Sequence, residues 1–462
     1  MDGENAMNRA ARKRRLFETD GIRGKANAYP MTPEIALRVG KAVAKYFIER
    51  NGKTSHRIVI GKDTRRSGYM LENALVSGIV SMGANALLVG PIPTPAIAHL
   101  AKSLNCDAGI MLSASHNPAE DNGIKIFSGE GFKLDDKVEL EIERLIFSDI
   151  DASHITGNLV GGAKRIDDAA GRYIEFVKNS INNQPLDGLK IVLDVANGSA
   201  YMIAPWVFSE LGAEVIVMND SPDGMNINAD CGALHIQGLA GKVRETGAGI
   251  GIAFDGDADR IAVCDETGKE VDGNALLAIF ALDLSAKGKL KNNCVVSTVM
   301  ANSALTELLG RHGIRTVHTP VGDRYVIGEM RRGTSNFGGE PNGHTVFFDY
   351  NTTDDAMVAA LQLLAIMKRS GKKVSELASV LRPFPQALVN VKVREKKPFE
   401  NLPRVKQKIA EAEKSLAGNG KVLVRYSGTE MLARVLVESG STEKSESLAA
   451  GIAEAIKKEI GA

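Results

Sequence analysis

Short apolar runs that end in polar or glycine-rich turns and continue into helical stretches recur along most of the chain. Clear examples are residues 57–60, 190–193 and 294–296, and the third leads into a helical stretch at 301–309. A buried strand followed by a helix is the unit from which helix-covered parallel sheets are built. The recurrence predicts three similar α/β domains, in which ligands bind at the carboxyl ends of the strands.

The pattern changes after residue 384. Residues 387–393 alternate between apolar and polar side chains, as expected for a strand with one buried face, and residues 422–424 and 435–437 predict two more strands. Two later stretches carry apolar side chains at helical spacing, namely Val405, Ile409, Ala412 and Leu416, and then Leu448, Ile452 and Ile456. Together these elements predict a small α+β domain behind a linker at 383–385.

The overall composition is that of a globular protein in water. The chain has 462 residues, too many for one hydrophobic core, with 44% apolar and 24% charged residues. Its 57 basic side chains balance 56 acidic ones, so there is no reason to expect nucleic acid or an anionic membrane as a partner. Any anionic ligand must therefore be bound by local positive charge.

The chain carries no sign of a membrane span or a secretory signal. No stretch reaches the roughly 20 apolar residues that a span requires, and no apolar segment follows the basic run at 12–15. We interpret that run as a solvated tail rather than an arm that binds phosphate or nucleic acid. The four cysteines include no CxxC pair, which argues against a disulfide framework and a zinc site. We expect reduced thiols and a cytoplasmic protein.

Residues 113–118, with the sequence Ser-Ala-Ser-His-Asn-Pro, place two hydroxyls beside an imidazole directly after an apolar run. A serine hydroxyl is a weak nucleophile unless a base or a metal assists it, and His116 and Lys125 are candidates for that role. Ser, Asn and Pro are also common turn formers, so the segment alone fits an ordinary loop as well. The residues do not decide between Ser113 and Ser115.

A second segment carries three alternating carboxylates. Asp255, Asp257 and Asp259 directly follow the apolar residues 250–254, and alternate side chains of an extended segment point the same way. Converging carboxylates suit a hard dication such as Mg²⁺. An EF-hand is excluded because its sixth loop position needs Gly, where this chain has Arg260. An acidic turn without a metal is disfavoured because bare carboxylates repel one another.

Two further polar segments can bind parts of a phosphorylated sugar. Glu340, Asn342 and His344 lie in a glycine-rich stretch, where they can hydrogen-bond sugar hydroxyls or form a polar surface turn. Residues 425–430, Arg-Tyr-Ser-Gly-Thr-Glu, suit a phosphate cradle as well as a hairpin turn. The chain has no Walker A loop, so the phosphoryl group must come from the substrate or from the protein itself.

Together with residues 19–24 (Thr-Asp-Gly-Ile-Arg-Gly) and 321–325 (Val-Gly-Asp-Arg-Tyr), these segments resemble those of the α-D-phosphohexomutase superfamily in order and residue type. The resemblance covers nearly the whole chain. It implies three similar mixed α/β domains and a C-terminal α+β domain like the TATA-box-binding fold, around a central cleft. The domains are predicted at 1–166, 167–269, 270–384 and 385–462, and they carry the phosphoserine, metal, sugar-binding and phosphate-binding loops in that order.

The resemblance also implies a role for each residue. Ser115 is the phosphorylated serine and holds Mg²⁺ together with Asp255, Asp257 and Asp259. The residues around that phosphate are Arg23, His116, Lys125 and Arg260. The residues that bind the substrate are Gly322, Asp323, Arg324, Glu340, Asn342, His344, Arg425, Ser427, Gly428 and Thr429. Among them, Asp323 can pair with an ammonium group.

The implied reaction is a two-step relay. Phospho-Ser115 converts a hexosamine 6-phosphate into a 1,6-bisphosphate and then takes back the other phosphate, with a hexose 1,6-bisphosphate as primer and the C-terminal domain closing as a lid. Residues 321–324 favour glucosamine 6-phosphate, on the way to UDP-N-acetylglucosamine for the cell wall. Pro341 and Asn342 depart from the family's sugar loop, so glucose or mannose phosphates are alternatives.

Two other function classes are compatible with the same segments. A metal-dependent sugar phosphatase would pass the phosphoryl group to water, and a non-catalytic protein would only bind a phosphosugar. The intact serine and carboxylates argue against the second of these. The expected partner is a small sugar phosphate, and the chain is expected to be a monomer or a homodimer.

Overall fold

The computed structural model describes residues 15–18, 20–417, 420–427 and 431–462, and the strands in these ranges form four sheets. The strands are β1 (Phe17–Glu18), β2 (Gly21–Lys25), β3 (Arg57–Lys62), β4 (Asn85–Pro91), β5 (Ala108–Leu112), β6 (Asp121–Ser128), β7 (Ala163–Arg165), β8 (Lys190–Asp194), β9 (Glu214–Met218), β10 (Ile250–Phe254), β11 (Ile261–Asp265), β12 (Cys294–Thr298), β13 (Arg315–Thr319), β14 (Phe337–Gly339), β15 (Thr345–Phe347), β16 (Gln386–Lys392), β17 (Gly420–Tyr426) and β18 (Leu432–Ser439).

The α-helices in the same ranges surround these sheets. They are α1 (Pro33–Asn51), α2 (Gly68–Ser81), α3 (Thr94–Ser103), α4 (Asp136–Ile146), α5 (Ala169–Asn179), α6 (Ile203–Glu210), α7 (Gln237–Thr246), α8 (Gly273–Ala286), α9 (Ser303–Arg311), α10 (Asp323–Arg331), α11 (Ala356–Ser370), α12 (Val374–Ala378), α13 (Pro403–Leu416) and α14 (Thr442–Ile460).

The first sheet has seven strands in the order β1-β2-β6-β5-β3-β4-β7. β3 pairs in parallel with β4 and β5, as the βα pattern predicts. β6 runs antiparallel to both β5 and β2, so the sheet is mixed. Ile58 and Ile60 of β3 and Ile110 of β5 lie in one buried core with Leu71 and Leu75 of α2. β3 is paired on both sides and buried, which explains the apolar run at 58–60.

The second and third sheets have four strands each, in the orders β11-β10-β8-β9 and β13-β12-β14-β15. β8 is parallel to β9 and β10, while β11 is antiparallel to β10. β12 is parallel to β14, while β15 is antiparallel to β14. The predicted fold class of three mixed α/β domains is confirmed. In each of these three sheets, one strand of the parallel part is followed along the chain by a strand that pairs with it in antiparallel orientation.

The C-terminal sheet has three antiparallel strands in the order β16-β18-β17. Its buried face packs on α13 and α14 through Val391, Val435, Val405 and Ile452, each at most 1% exposed. The helical spacing of apolar residues correctly predicted both helices. The predicted helix at 301–309 begins two residues later, at Ser303, because the Asn302 side chain accepts a hydrogen bond from Ala304 N–H and caps the helix.

The described residues divide into two compact units, one formed by 1–299 and 316–378 and the other by 300–315 and 379–462. The second unit therefore contains α9 as well as the C-terminal sheet. Ser303 N–H donates to Glu438 Oε2 at 2.9 Å, and Lys421 Nζ donates to Ala301 O at 2.5 Å. Phe384, in the predicted linker, donates its N–H to Asn302 Oδ1 at 3.0 Å. None of the described helices has the length and apolar character needed to span a lipid bilayer.

The end of α13 allows a test of this local structure. Ala417 follows the helix with φ of 49°, a left-handed conformation that costs an L-residue roughly 1 kcal/mol and costs Gly almost nothing. We predict that Ala417→Gly raises the free energy of unfolding by about 1 kcal/mol, measured by thermal unfolding of the full chain. Ala410→Gly is the matched control inside the same helix and should lower the free energy of unfolding by a similar amount. A change in the free energy of unfolding with the same sign in both variants would contradict the left-handed conformation at Ala417.

Candidate active site

Three of the predicted segments occupy equivalent positions in three sheets. The serine loop (residues 113–120) joins β5 to β6, the metal loop (255–260) joins β10 to β11, and the sugar loop (340–344) joins β14 to β15. Each loop thus lies where a strand of the parallel part turns into its antiparallel neighbour. Arg260 of the metal loop and His344 of the sugar loop form an isolated antiparallel bridge. The fold therefore brings together two loops whose bridging residues are 84 positions apart in the chain.

The two serines of the serine loop have different hydrogen-bond partners. Ser113 Oγ donates to Asp63 Oδ2 at 2.7 Å and accepts from Ser115 N–H at 2.9 Å, so its hydroxyl holds the loop together. Ser115 Oγ donates to Asp255 Oδ2 at 2.6 Å and lies 3.3 Å from His116 Nδ1. Ser115 is therefore the hydroxyl that faces the metal loop.

The three carboxylates of the metal loop converge. Asp255, Asp257 and Asp259 are each at most 1% exposed, and one oxygen of each lies within 4.8 Å of the others. Asp257 Oδ1 and Asp259 Oδ1 have no hydrogen-bond partner. Burial, together with the charges of Asp259 and Asp257, raises the pKa of Asp255. Buried carboxylate oxygens without donors are costly, and a hard dication would satisfy them, so these residues fit Mg²⁺.

Lys125 of β6 supplies positive charge inside this cluster. Its Nζ lies 2.8 Å from Asp257 Oδ2, 3.1 Å from Asp259 Oδ2 and 3.2 Å from Asp20 Oδ2. Burial lowers the pKa of Lys125, but the three carboxylates outweigh burial and raise the pKa well above its usual value. Lys125 therefore remains a cation at neutral pH and does not act as a base towards Ser115.

His116 has the opposite electrostatic environment. Burial and the charges of Arg260 and Arg23 lower the pKa of His116 to about 4. The ring is therefore neutral at pH 7, and a neutral imidazole nitrogen can accept a proton. Of the two candidates considered for assisting the serine, only His116 can be a base at neutral pH.

The N-terminal strand region contributes further charges to the cluster. Asp20 Oδ1 accepts from Lys133 Nζ at 2.7 Å, and Arg23 forms an ion pair with the same carboxylate. Burial raises the pKa of Asp20, but Lys125, Lys133 and Arg23 together hold it well below its usual value. Lys133 also pairs with Asp323, the first residue of α10, so this carboxylate already has an ammonium partner. The buried charges alternate in the order Asp323, Lys133, Asp20, Lys125 and the metal loop.

The sugar loop is joined to both of its neighbours. Glu340 is 4% exposed, and its Oε1 accepts from Gly322 N–H at 3.0 Å. Arg260 Nε donates to His344 Nε2 at 2.7 Å, and His344 Nδ1 contacts Asp354 Oδ2. Asn342 is exposed at the tip of the loop. A glutamate and an imidazole are thus held beside the metal loop, and the exposed Asn342 side chain accepts a hydrogen bond from His344 N–H at 3.5 Å through its Oδ1.

Arg324, one of the predicted substrate-binding residues, points towards α4. Its Nη2 lies 2.6 Å from Asp136 Oδ1 and 3.3 Å from Glu139 Oε2, and it donates to Leu134 O at 3.2 Å. The guanidinium therefore joins α10 to α4. A sequence motif alone does not show that such an arginine is engaged by acidic residues far away in the chain.

The phosphate-binding segment belongs to the second compact unit. Arg425 lies on β17, and Ser427 follows it, with its N–H donating to Leu432 O at 2.8 Å. Gly428 and Thr429 lie outside the described residues, as does Thr19 of the N-terminal motif.

Thr94 is a contact of the metal loop that the motifs did not indicate. It is the first residue of α3, its N–H donates to Asp257 O at 2.9 Å, and its Oγ1 donates to Asp257 Oδ2 at 2.5 Å. A helix N-terminus with a hydroxyl is a natural partner for a carboxylate. The only sequence signal is a threonine between two prolines at 93–95, which is typical of many helix starts.

These contacts define the class of protein. A buried serine hydroxyl rests against carboxylates that fit a dication, and cationic side chains surround both. Positioning and charge neutralisation are what phosphoryl transfer requires, so the site is that of a phosphoryl-transfer enzyme.

Comparison with family models identifies the family. The models of phosphoglucomutase/phosphomannomutase alpha/beta/alpha domains I, II and III match residues 14–152, 171–268 and 272–384, and the model of the C-terminal domain matches 388–455. The chain belongs to the phosphoglucomutase/phosphomannomutase family and is a phosphohexomutase, an isomerase.

Curated relatives resemble the chain over nearly its whole length. A protein of Syntrophotalea carbinolica named phosphoglucosamine mutase is 54% identical over 451 residues, which are 97% of this chain and 98% of the relative. A protein of Anaeromyxobacter dehalogenans with the same name is 53% identical and is matched over its full length, covering 97% of this chain.

Solved structures share the fold at low identity. A phosphoglucomutase/phosphomannomutase family protein from Burkholderia thailandensis superposes with a TM-score of 0.79 at 23% identity, covering 96% of this chain and 97% of the other. The N-acetylphosphoglucosamine mutase of Aspergillus fumigatus, solved in complex with GlcNAc-6P and magnesium, has a TM-score of 0.68 at 18% identity, covering 98% of both chains. At these identities the likeness is one of fold.

The metal loop generates a stability prediction. In wild-type protein, Mg²⁺ at a hundredfold excess over its dissociation constant should stabilise the fold by about 2.7 kcal/mol. Asp257→Asn should remove this stabilisation, and the metal-free variant should differ from metal-free wild type by less than Mg²⁺ contributes, because relief of carboxylate repulsion offsets the lost ion pair with Lys125. Thermal unfolding with and without Mg²⁺ measures both effects. The exposed Asp149→Asn is the control and should retain the response, and a full Mg²⁺ response in Asp257→Asn would rule out this metal site.

His116 generates a pH prediction for the metal-free, unphosphorylated protein. Its folded pKa of about 4 lies below the value of about 6.5 for an unfolded histidine. The ring's contribution to stability is therefore fully present above pH 6.5 and is lost as the pH falls through 4. Between these limits, wild type should lose more stability than His116→Gln, as measured by chemical denaturation. An NMR titration of the His116 ring with a midpoint near 6.5 would contradict the prediction.

Proposed function

We propose that the protein interconverts glucosamine 6-phosphate and glucosamine 1-phosphate through phospho-Ser115 and glucosamine 1,6-bisphosphate. The observation that carries the proposal is the buried Ser115 Oγ at 2.6 Å from Asp255 Oδ2, within the converging carboxylates of the metal loop. The choice of glucosamine rests on the relatives named phosphoglucosamine mutase, at 54% and 53% identity.

In this proposal Asp255, Asp257 and Asp259, together with an oxygen on Ser115, hold Mg²⁺. When bound, the ion would neutralise charge on the phosphoryl oxygens. Arg23 and Arg260 supply further positive charge from two sides, and the charges of the metal-loop carboxylates help to keep both guanidinium groups protonated.

The two half-reactions use the same serine. In the first, the sugar hydroxyl loses its proton and forms a bond to phosphorus as the bond from phosphorus to Ser115 Oγ breaks, and Ser115 Oγ takes up one proton in exchange. In the second, Ser115 Oγ attacks the other phosphate of the bisphosphate, and its proton passes to His116 Nδ1, 3.3 Å away. The sugar oxygen that is released takes up a proton, so atoms and charges balance. A hexose 1,6-bisphosphate primes unphosphorylated enzyme by the second half-reaction.

Substrate binding is assigned to two loops. Glu340, Asn342 and His344 contact the sugar hydroxyls, with Gly322 and Asp323 beside them. The segment with Arg425, Ser427, Gly428 and Thr429 binds the phosphate that is not reacting. Arg324 belongs to this set as well, and its guanidinium would exchange its contacts with Asp136 and Glu139 for contacts with the substrate.

We also propose that the domains follow the predicted boundaries 1–166, 167–269, 270–384 and 385–462. The matched family segments, 14–152, 171–268, 272–384 and 388–455, each fall inside one of these ranges.

A matched pair of serine variants tests the phosphoserine. Ser115→Ala should lower turnover of glucosamine 6-phosphate by at least about a thousandfold and abolish the phosphorylated form of the protein in its mass spectrum. Ser113→Ala loses only the hydrogen bonds that shape the loop, so turnover should fall about tenfold while the phosphorylated form persists. Phosphorylation that depends on Ser113 rather than Ser115 would refute the assignment.

Competing sugars test the substrate. Glucosamine 6-phosphate should be turned over with a higher kcat/KM than glucose 6-phosphate and mannose 6-phosphate in the presence of Mg²⁺ and a bisphosphate primer. A preference for either neutral sugar would reject the amino-sugar assignment and keep the reaction type. Net release of inorganic phosphate without a sugar 1-phosphate would make the protein a phosphatase.

A further inference from the structure

The guanidinium of Arg65 is completely buried under the serine loop. Arg65 is 0% exposed, and its Nε donates to Asp63 Oδ2 at 2.8 Å. Its Nη2 donates to Ser115 O at 3.0 Å and to Asn117 O at 2.8 Å, and its Nη1 donates to Asp121 O at 3.0 Å. A buried charge with this number of hydrogen bonds to one loop is expensive to build, and it holds that loop's backbone in one conformation.

A second side chain donates to the same two carbonyl oxygens from another part of the chain. Asn228, in the loop after β9, directs its Nδ2 to Ser115 O at 2.9 Å and to Asn117 O at 3.1 Å. Gly256 of the metal loop passes so close that a Cβ there would lie 2.6 Å from Ser115 O and 2.8 Å from Asn228 Nδ2. The serine loop is thus enclosed by contacts to its backbone from three sides.

The backbone of Ser115 needs such support. Its φ of 54° is left-handed, which costs a residue other than Gly about 1–2 kcal/mol. The two donors on its carbonyl, together with its own N–H bond to Ser113 Oγ, hold this conformation. In this conformation Ser115 Oγ reaches Asp255.

Phosphorylation makes this support necessary. A phosphoserine carries a charge of about −1.5 to −2 at pH 7, and in the proposed reaction that charge leaves and returns in each cycle beside three carboxylates. The resulting repulsion would push a flexible loop away from the metal loop whenever the metal's field is incomplete. Arg65 and Asn228 donate to backbone carbonyls and not to Oγ, the atom that gains and loses the phosphate.

We propose that Arg65 and Asn228 are positioning residues that clamp the carbonyl groups of Ser115 and Asn117. The clamp keeps Ser115 Oγ at one place in both the phosphorylated and the free form. The catalytic consequence of the clamp rests on the proposed function, whereas its effect on the loop backbone does not.

Asn228→Ala tests the clamp, with Asn226→Ala as the matched control. Asn226 lies in the same loop, but its Nδ2 donates to Ser221 O at 3.0 Å and its Oδ1 accepts from Asp223 N–H at 3.0 Å, both within that loop. Asn228→Ala should lower kcat about tenfold with KM within twofold, because a lost hydrogen bond of typical strength has this effect on a positioned group. Asn228→Asp, which has the same shape but no N–H donor, should lower kcat at least as far.

A second readout reports the loop itself. In Asn228→Ala, the amides of the serine loop should exchange with solvent deuterium at least tenfold faster than in wild type, and in Asn226→Ala within twofold of wild type. Arg65→Lys keeps the charge and loses the forked donor, and where it folds it should show a larger effect of the same kind.

The two readouts separate the two proposals. Wild-type kcat and unchanged exchange in Asn228→Ala, or equal effects in Asn226→Ala, would overturn the clamp. If wild-type protein proves to have no mutase activity, the proposed function fails, and the exchange comparison still decides whether the clamp exists.

Discussion

Burial of three carboxylates at the carboxyl end of β10 is the constraint on which the rest of the site depends. Two like charges a few ångströms apart repel strongly where little water screens them, so the metal loop is stable only with positive charge close by. Lys125 of β6 meets Asp257 and Asp259 at 2.8 and 3.1 Å, and Thr94 of α3 donates to Asp257 at 2.5 Å. A lysine of the first sheet therefore neutralises part of the negative charge of a loop in the second sheet. The remaining unpaired carboxylate oxygens leave a place for a dication, so the same electrostatic requirement that joins the sheets also prepares the site for phosphoryl transfer.

The repeated architecture explains how the serine, metal and sugar loops come to lie in equivalent positions. The serine, metal and sugar loops all lie where a strand is followed by its antiparallel neighbour, so a repeated supersecondary unit presents a different loop in each sheet. The backbone bridge between Arg260 and His344 and the hydrogen bond between Ser115 and Asp255 join these loops directly. The position of each loop therefore follows from the fold, and its sequence determines which side chains it brings to the site.

Local periodicity was sufficient for the fold class and for the particular strands and helices predicted from it, because the burial of one face sets the spacing of apolar residues along the chain. It was insufficient where a role depends on a distant partner. Ser113 and Ser115 differ in their surroundings because the hydroxyl of one contacts Asp63, 50 residues away, and that of the other contacts Asp255, 140 residues away. Lys133 gave no motif signal, although it bridges Asp20 and Asp323 across 113 and 190 residues. Arg324 stood in a suggestive motif, yet its guanidinium is engaged by α4.

The central claim is that the phosphoryl group on Ser115 is transferred to the sugar. The most direct test is a single turnover with enzyme that carries an isotopically labelled phosphoryl group on Ser115, mixed with unlabelled glucosamine 6-phosphate and Mg²⁺. We expect the label to pass from the protein into glucosamine bisphosphate and monophosphate at the rate of turnover. Label that stays on the protein during turnover, or that appears only as inorganic phosphate, would contradict the central claim.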